Sequence, residues 1–246
     1  MKAMVLAAGL GTRLRPLTDD RPKALVEVAG RTLLEITLSR LRAFGVREVI
    51  LNAHHFGDMM VEYLKANDNF GMRIEISREE VLLDTGGGLK KAAWFFLEGS
   101  SDEPFILHNV DVISTIDLHR MAQFHAENHA LATLAVQERE TSRYLLFDEH
   151  LQFCGRRKGS DGTPELVRPA SQPLAVGFCG IHVISPRLIP MLSEEGVFSI
   201  VPAYLRLAGE GEKILAFRAD EYYWRDLGKP ESLAEAARDM EQKVFK

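Results

Sequence analysis

Apolar positions along this chain keep two rhythms. Short unbroken runs, the first at residues 3–8, have the length of buried strands, while Leu34, Leu38 and Leu41 recur at helical spacing within 32–44. Thr32 suits an N-cap, and Gly45 a stop before a second strand at 48–52. The alternation continues through a helix at 58–66 and a strand at 72–77. Gly86-Gly87-Gly88 then leads into a helix through Leu97, followed by a strand at 105–108, a helix at 117–127 and a strand at 130–136. Strands separated by helices of such length predict a parallel sheet with right-handed crossovers.

The rhythm changes in the second half. Between 144 and 184 the runs are short or alternating around a polar loop at 159–162, which predicts antiparallel additions. Helices at 186–192 and 199–208, strands near 214–217 and 222–225, and a last helix opening on Pro230 follow. No repeat or low-complexity linker interrupts the 246 residues, so a single domain is expected.

Composition narrows the partners. Hydrophobic residues make up 46% of the chain, yet no apolar run reaches the ~20 residues of a membrane span. A net charge of -5, a pI of about 5.9 and the lack of a basic tail argue against nucleic-acid binding. The chain opens directly on a strand pattern, so no signal peptide is expected. Cys154 and Cys179 read as reduced thiols of a cytoplasmic protein, a monomer or small homo-oligomer without a membrane partner. His54, His55 and His108 lack ligand-spaced companions and read as strand-end or partly buried residues. Met59-Met60 and Trp94-Phe95-Phe96 read as core or a subunit contact.

Charge is distributed against the average at the first loop. Arg13, Arg15, Arg21 and Lys23 cluster just after the first strand, among Gly9, Gly11, Pro16 and Pro22. Glycine lets backbone amides approach phosphate oxygens, and cations neutralise what the amides leave. Leu14 stands where a dinucleotide-binding loop needs its third glycine, and Gly11-Thr12-Arg13 lacks the Gly-Lys-Ser/Thr of a P-loop. The prolines keep the segment irregular, which points to a long loop draped over a polyanion. The plainer alternative is a solvated basic turn.

Leu6-Ala7-Ala8-Gly9-Leu10-Gly11-Thr12-Arg13-Leu14-Arg15-Pro16-Leu17-Thr18, with Pro22-Lys23-Ala24-Leu25, resembles the signature of the sugar-1-phosphate nucleotidylyltransferases. Leu83-Asp84-Thr85-Gly86-Gly87-Gly88 is similar to that family's base-binding loop, and Asn109-Val110-Asp111 to its Asn-Gly-Asp metal motif. Gly180-Ile181-His182-Val183-Ile184-Ser185-Pro186 resembles a sugar-side strand, and Trp224-Arg225-Asp226-Leu227-Gly228 the late metal motif. The matches keep their order from residue 3 to about 236. They most resemble the short N-acetylmuramate-1-phosphate uridylyltransferase group, with mannose- and heptose-1-phosphate guanylyltransferases as close rivals.

The resemblance implies a Rossmann-like three-layer α/β sandwich with a nucleotide-binding half at about 1–136 and a sugar-binding half at about 137–246. It implies attack of a sugar phosphate on a nucleoside triphosphate, UTP before GTP, with pyrophosphate released. A catalytically silent nucleotide-sugar-binding subunit is the reading from another class. Arg13, Lys23 and Asp111 carry the implied catalysis, and Asp111 and Asp226 the implied Mg²⁺. Read without the resemblance, each aspartate is more often a helix cap or a surface charge. Leu6, Ala7, Ala8, Gly9, Gly11, Thr12, Arg13, Lys23, Glu80, Asp84, Thr85, Gly86, Gly87 and Asn109 are the implied nucleotide contacts, although Thr85 also suits a helix cap. Asn109, Arg168, Cys179 and Gly180 are the implied sugar contacts, Arg168 standing in for the family's Glu-Lys-Pro lysine within Val167-Arg168-Pro169. Val110 departs from the motif's glycine and is expected to narrow the approach beside the metal.

Overall fold

The computed structural model describes residues 1–98 and 102–242. Its first half contains β1 (Lys2–Leu6), β2 (Glu27–Val28), β3 (Arg31–Thr32), α1 (Leu33–Ala43), β4 (Glu48–Ala53), α2 (Gly57–Ala66) and β5 (Arg73–Arg78). Next come α3 (Asp84–Lys91), α4 (Ala93–Leu97), β6 (Phe105–Asn109), β7 (Val112–Ser114), α5 (Leu118–Glu127) and β8 (Ala132–Gln137). The second half adds β9 (Arg143–Phe147), β10 (Phe153–Lys158), β11 (Glu165–Leu166) and β12 (Leu174–Ile184). It ends with α6 (Ile200–Gly209), β13 (Ile214–Arg218), β14 (Trp224–Asp226) and α7 (Pro230–Glu241).

β1 pairs in parallel with β4 and β6, and β4 with β5, as the strand–helix alternation predicts. β12 runs antiparallel and joins the halves. Its second part pairs with β6, while its first part reaches past the carboxyl end of β6 to pair with β9. The β9–β10 hairpin therefore stands beyond the carboxyl ends of β6 and β1, where open α/β sheets bind ligands. One apolar cluster packs α1 against one face of this sheet; a second packs α3, α4 and α6 against the other. The result is the mixed three-layer α/β architecture expected.

Several local readings differ. Gly86-Gly87-Gly88 lies inside α3, which stops at Ala92 before the separate α4. Pro186–Met191 is a 3-10 segment, since Pro190 removes a donor that a longer α-helix would need. β14 pairs with β7, a contact too short to leave a periodic trace. Thr32 caps α1 as predicted, its hydroxyl accepting from the Glu35 amide at 3.0 Å. Met60, Phe95 and Phe96 are core, whereas Met59 and Trp94 are exposed. Cys154 and Cys179 are free and buried, with thiols pushed up to about 11 and about 12, mainly by burial.

Three buried histidines set an acid limit on stability, one of them His108, which burial holds down at about 4. His125 meets the hydroxyls of Thr133 and Ser185, each at 3.0 Å, and His182 meets Tyr204 at 2.9 Å. Burial holds their pKa values down at about 4 and about 3. An unfolded histidine titrates near 6.5, so below that pH the unfolded chain binds more protons than the folded one. Stability should thus fall by about 1.4 kcal/mol per pH unit per histidine between pH ~6.5 and ~4. Urea unfolding at pH 7 and pH 5 measures this, and His125→Gln with His182→Gln should lower the slope to the share that His108 carries.

Candidate active site

The first loop is held from below and from within. As β1 ends, the amides of Ala7 and Ala8 donate to Asn52 Oδ1 at 2.6 and 3.3 Å, so neither is left for a phosphate. The amides from Gly9 to Arg13, by contrast, make no hydrogen bond among the described residues. Gly11 adopts φ 63, and a Cβ there would lie 2.8 Å from Thr18 Cγ2 and 3.1 Å from Lys23 Cβ. Its carbonyl accepts from the Leu14 amide at 2.8 Å and from the Thr18 hydroxyl at 2.9 Å. Leu14 anchors the turn in the core and leaves Thr12 and Arg13 exposed. Arg15 and Arg21 face solvent beside Asp19 and Asp20, where surface pairing contributes little.

Four distant charged residues meet beside this loop. β14 aligns Asp226 opposite Val112, and the Leu227 amide donates to the Asp111 carbonyl at 2.8 Å, so the two aspartates are neighbours. Lys23, only 11% exposed at its side chain, forms an ion pair with Asp111 Oδ2. Asp226 Oδ1 accepts from the Gly228 amide at 2.7 Å. Arg13 lies over Gly228: a Cβ built there would sit 2.4 Å from Arg13 Nη2 and 2.7 Å from Asp226 Oδ1. Gly228→Ala should therefore displace the flexible guanidinium rather than unfold the chain. The expected result is a tenfold or greater loss of turnover with an unchanged melting midpoint, read by steady-state kinetics and thermal unfolding.

The donor set fits Mg²⁺. Asp111 Oδ1 and Asp226 Oδ2 accept no hydrogen bond among the described residues, leaving one hard oxygen in the turn before β7 and one at the end of β14. Mg²⁺ favours one or two carboxylates completed by water and substrate phosphates. No cluster of three or more potential metal-ligating side chains occurs among the described residues, so phosphate oxygens would have to complete the set.

In the loop expected to meet the base, Asp84 takes φ 60 and accepts from the Thr85 amide at 2.6 Å. The Thr85 hydroxyl accepts from the Ile200 amide at 2.9 Å and so caps α6 rather than α3. The three glycines allow close packing: a Cβ on Gly86 would fall 2.3 Å from the Phe198 ring, and one on Gly87 2.4 Å from the Gly196 carbonyl. Glu80 is exposed. Its neighbour Glu79, absent from the sequence-derived set, is 4% exposed and connects the two loops. It accepts from Asn52 Nδ2 at 2.8 Å and from the Leu83 amide at 2.9 Å, while Asn52 holds Ala7 and Ala8. A polar Asn52 inside the apolar run of β4 was the available signal.

The sugar-side expectations need three corrections. Asn109 and Gly180 do meet: Gly180 has φ 74, and a Cβ would lie 2.8 Å from Asn109 Nδ2. Cys179 is fully buried in the apolar cluster, and its carbonyl is taken by Trp224 Nε1 at 2.7 Å, so its side chain offers nothing to a ligand. Arg168 is bonded to Gln152 at 2.8 Å beside the start of β10, away from the cavity wall. Val110 turns into the core at 4% exposure and does not narrow the cleft. A cavity of about 900 Å³ instead brings Asp84, Thr85 and Asn109 opposite Arg143, Tyr144, Arg156, Arg157 and Lys158 of the β9–β10 hairpin. The run Arg156-Arg157-Lys158 closing an alternating strand was the overlooked signal.

Comparison with known proteins follows this geometry. Residues 2–146 match the model of a family described as Nucleotidyl transferase. The chain is 36% identical to the N-acetylmuramate alpha-1-phosphate uridylyltransferase of Caulobacter vibrioides, over 96% of each chain. It is 38% identical to a mannose-1-phosphate guanyltransferase of Aspergillus fumigatus over 94% of this chain, but it spans only 61% of that protein's length. Among solved structures, HddC from Yersinia pseudotuberculosis complexed with GMP-PN superposes with a TM-score of 0.75 at 21% identity, covering 97% of this chain and 99% of that one. A UDP-glucose pyrophosphorylase complexed with UDP-glucose gives 0.78 at 17% identity, covering 98% of both. The family model spans more than half of the chain and the Caulobacter vibrioides relative almost all of it: the chain belongs to the nucleotidyl transferase family.

Proposed function

We propose that this chain transfers a uridylyl group from UTP to a sugar 1-phosphate, giving a UDP-sugar and pyrophosphate. The observation that carries the reading is the meeting of Arg13, Lys23, Asp111 and Asp226 beside the unpaired amides of Gly9 to Arg13. The uridylyl donor is favoured by the Caulobacter vibrioides relative, which matches over almost its whole length. GTP is the second reading, supported by the guanyltransferase relatives.

The chemistry needs no base. A phosphate monoester loses its second proton near pH 6, so the attacking oxygen is already anionic at neutral pH. The barrier is repulsion between two polyanions, which positioning and fixed positive charge relieve. In this reading Arg13 grips the departing pyrophosphate, and Lys23 releases Asp111 to face the α-phosphate. Asp111 and Asp226 hold Mg²⁺, which adds charge neutralisation to the phosphate oxygens when bound. Asp84, Thr85, Gly86 and Gly87 border the base, with Glu80 at the rim, and Asn109 and Gly180 border the sugar.

Pyrophosphate release with UTP, GTP, CTP and dTTP against a panel of sugar 1-phosphates tests the proposal. Mg²⁺-dependent turnover, fastest with UTP, is the expected result. Turnover with GTP alone would replace the donor. No turnover with any pair, together with tight nucleotide-sugar binding, would mark a silent binding subunit.

A further inference from the structure

The clustered site balances its charge within the chain itself. Lys23 is ion-paired with Asp111. Arg13 Nη2 and Asp226 Oδ1 crowd the same space over Gly228, where a built Cβ would meet them at 2.4 and 2.7 Å. Two cations therefore stand against the two carboxylates that fit Mg²⁺. No third acid, histidine or cysteine completes a cluster with them among the described residues. A dication added to this set alone leaves two excess positive charges in a cleft partly shielded from water, where like charges repel more strongly.

The two cations are not equally held. Arg13 is exposed and closes no ion pair among the described residues, so it can swing aside. Lys23 is confined. Its side chain is 11% exposed and that of Asp111 16%, and Asp111 is the acid it meets. The first loop fences its stem, since a Cβ built on Gly11 would lie 3.1 Å from Lys23 Cβ, and buried Ala24 and Leu25 continue the same 3-10 turn. An ammonium pushed off Asp111 would stay in that narrow space without a partner, and a desolvated lone cation is costly. Metal binding by the protein alone carries that cost. Nucleotide phosphates remove it. In the transferase reading they lie against the unpaired amides of Gly9 to Arg13, where an oxygen offers the ammonium a new charge-assisted bond.

We infer that Lys23 is an internal counter-ion that keeps Mg²⁺ off Asp111 until nucleotide phosphates draw the ammonium away, so that metal and nucleotide bind as one unit. The inference rests on the transferase reading above and names the control of that same site. Coupling between two ligands is reciprocal and commonly about 5- to 150-fold. Removing the charge of Lys23 therefore tightens metal binding in the nucleotide-free protein, although the same change slows turnover. A lysine that served the phosphates alone would leave that binding unchanged.

Titration of Mn²⁺ into nucleotide-free protein tests this without turnover, the free ion being read by electron paramagnetic resonance at fixed pH and ionic strength. Lys23→Met keeps the length of the stem and removes the charge, and should bind Mn²⁺ at least about tenfold more tightly than the parent. The gain should vanish when Asp111→Asn is added to Lys23→Met. Saturating UTP, after correction for Mn²⁺ chelated by UTP in solution, should raise Mn²⁺ affinity by a larger factor in the parent than in Lys23→Met. Equal Mn²⁺ affinity in parent and variant, a gain that survives Asp111→Asn, or an equal response to UTP would overturn the inference. Uptake of Mn²⁺ by neither protein would overturn it as well. Each of these results leaves the transferase reading to its own test, pyrophosphate release. Thermal unfolding checks every variant, and where Lys23→Met is not folded, Lys23→Gln carries the same expectation.

Discussion

Lys23→Ala should lower kcat by about 100- to 1,000-fold, the scale on which removal of a single fixed charge at developing negative charge is felt. The fold should tolerate it. Lys23 is buried, but its partner Asp111 keeps part of its side chain exposed and can regain water once the ammonium is gone. The thermal midpoint should move by no more than about 4 °C, a shift of roughly 1 kcal/mol in a chain of this size. Lys23→Arg separates charge from placement. A Cβ built on Gly11 would lie 3.1 Å from Lys23 Cβ, so the loop closes tightly on the Lys23 stem and the bulkier guanidinium should restore little of the rate. An enzyme as fast as the parent after either change would remove Lys23 from the chemistry.

The second large effect belongs to the carboxylates. Asp226→Ala should raise the Mg²⁺ concentration for half-maximal rate at least about tenfold and lower the rate at saturation. It also deletes the acceptor of the Gly228 amide, which helps hold the chain beneath Arg13. Asp226→Asn keeps an oxygen for that amide while removing the charge, and should show the metal defect with the backbone intact. Asp111→Ala should be more severe, because it removes a metal oxygen and strands the Lys23 ammonium. A magnesium titration unchanged in both variants would refute the coordination.

What could be read from residues alone follows from how information is stored in the chain. β1, β4, β5 and β6 are buried runs bounded by helices, so their existence and parallel order were legible from pattern. β12 was not legible as one element: a register shift between Phe178 and His182 breaks its alternation midway. The glycine triplet read as a loop because its propensity disfavours helix. Contact with Phe198 and Gly196 outweighs that propensity, and only tertiary structure shows it.

The site divides in the same way. Arg13, Lys23, Asp111 and Asp226 were named through motif resemblance, and folding brings them together through β7 and β14. Glu79 and Glu80 look alike in the sequence, since nothing in two adjacent glutamates just after β5 says which one turns inward. Arg168 stands out in the sequence by its charge and its proline neighbour. Its distance from the cavity follows from the β10–β11 pairing, which places it at the opposite end of the hairpin from Lys158.

The glycine-faced packing of α3 has a mechanical consequence. With Phe198 accepting from the Gly86 and Gly87 amides and Thr85 terminating α6, the base-side and sugar-side supports are stitched into one jaw. Any clamping on a bound pair of reactants then falls to the opposing jaw, the arginine loop whose tip residues Leu10 and Leu17 project into water.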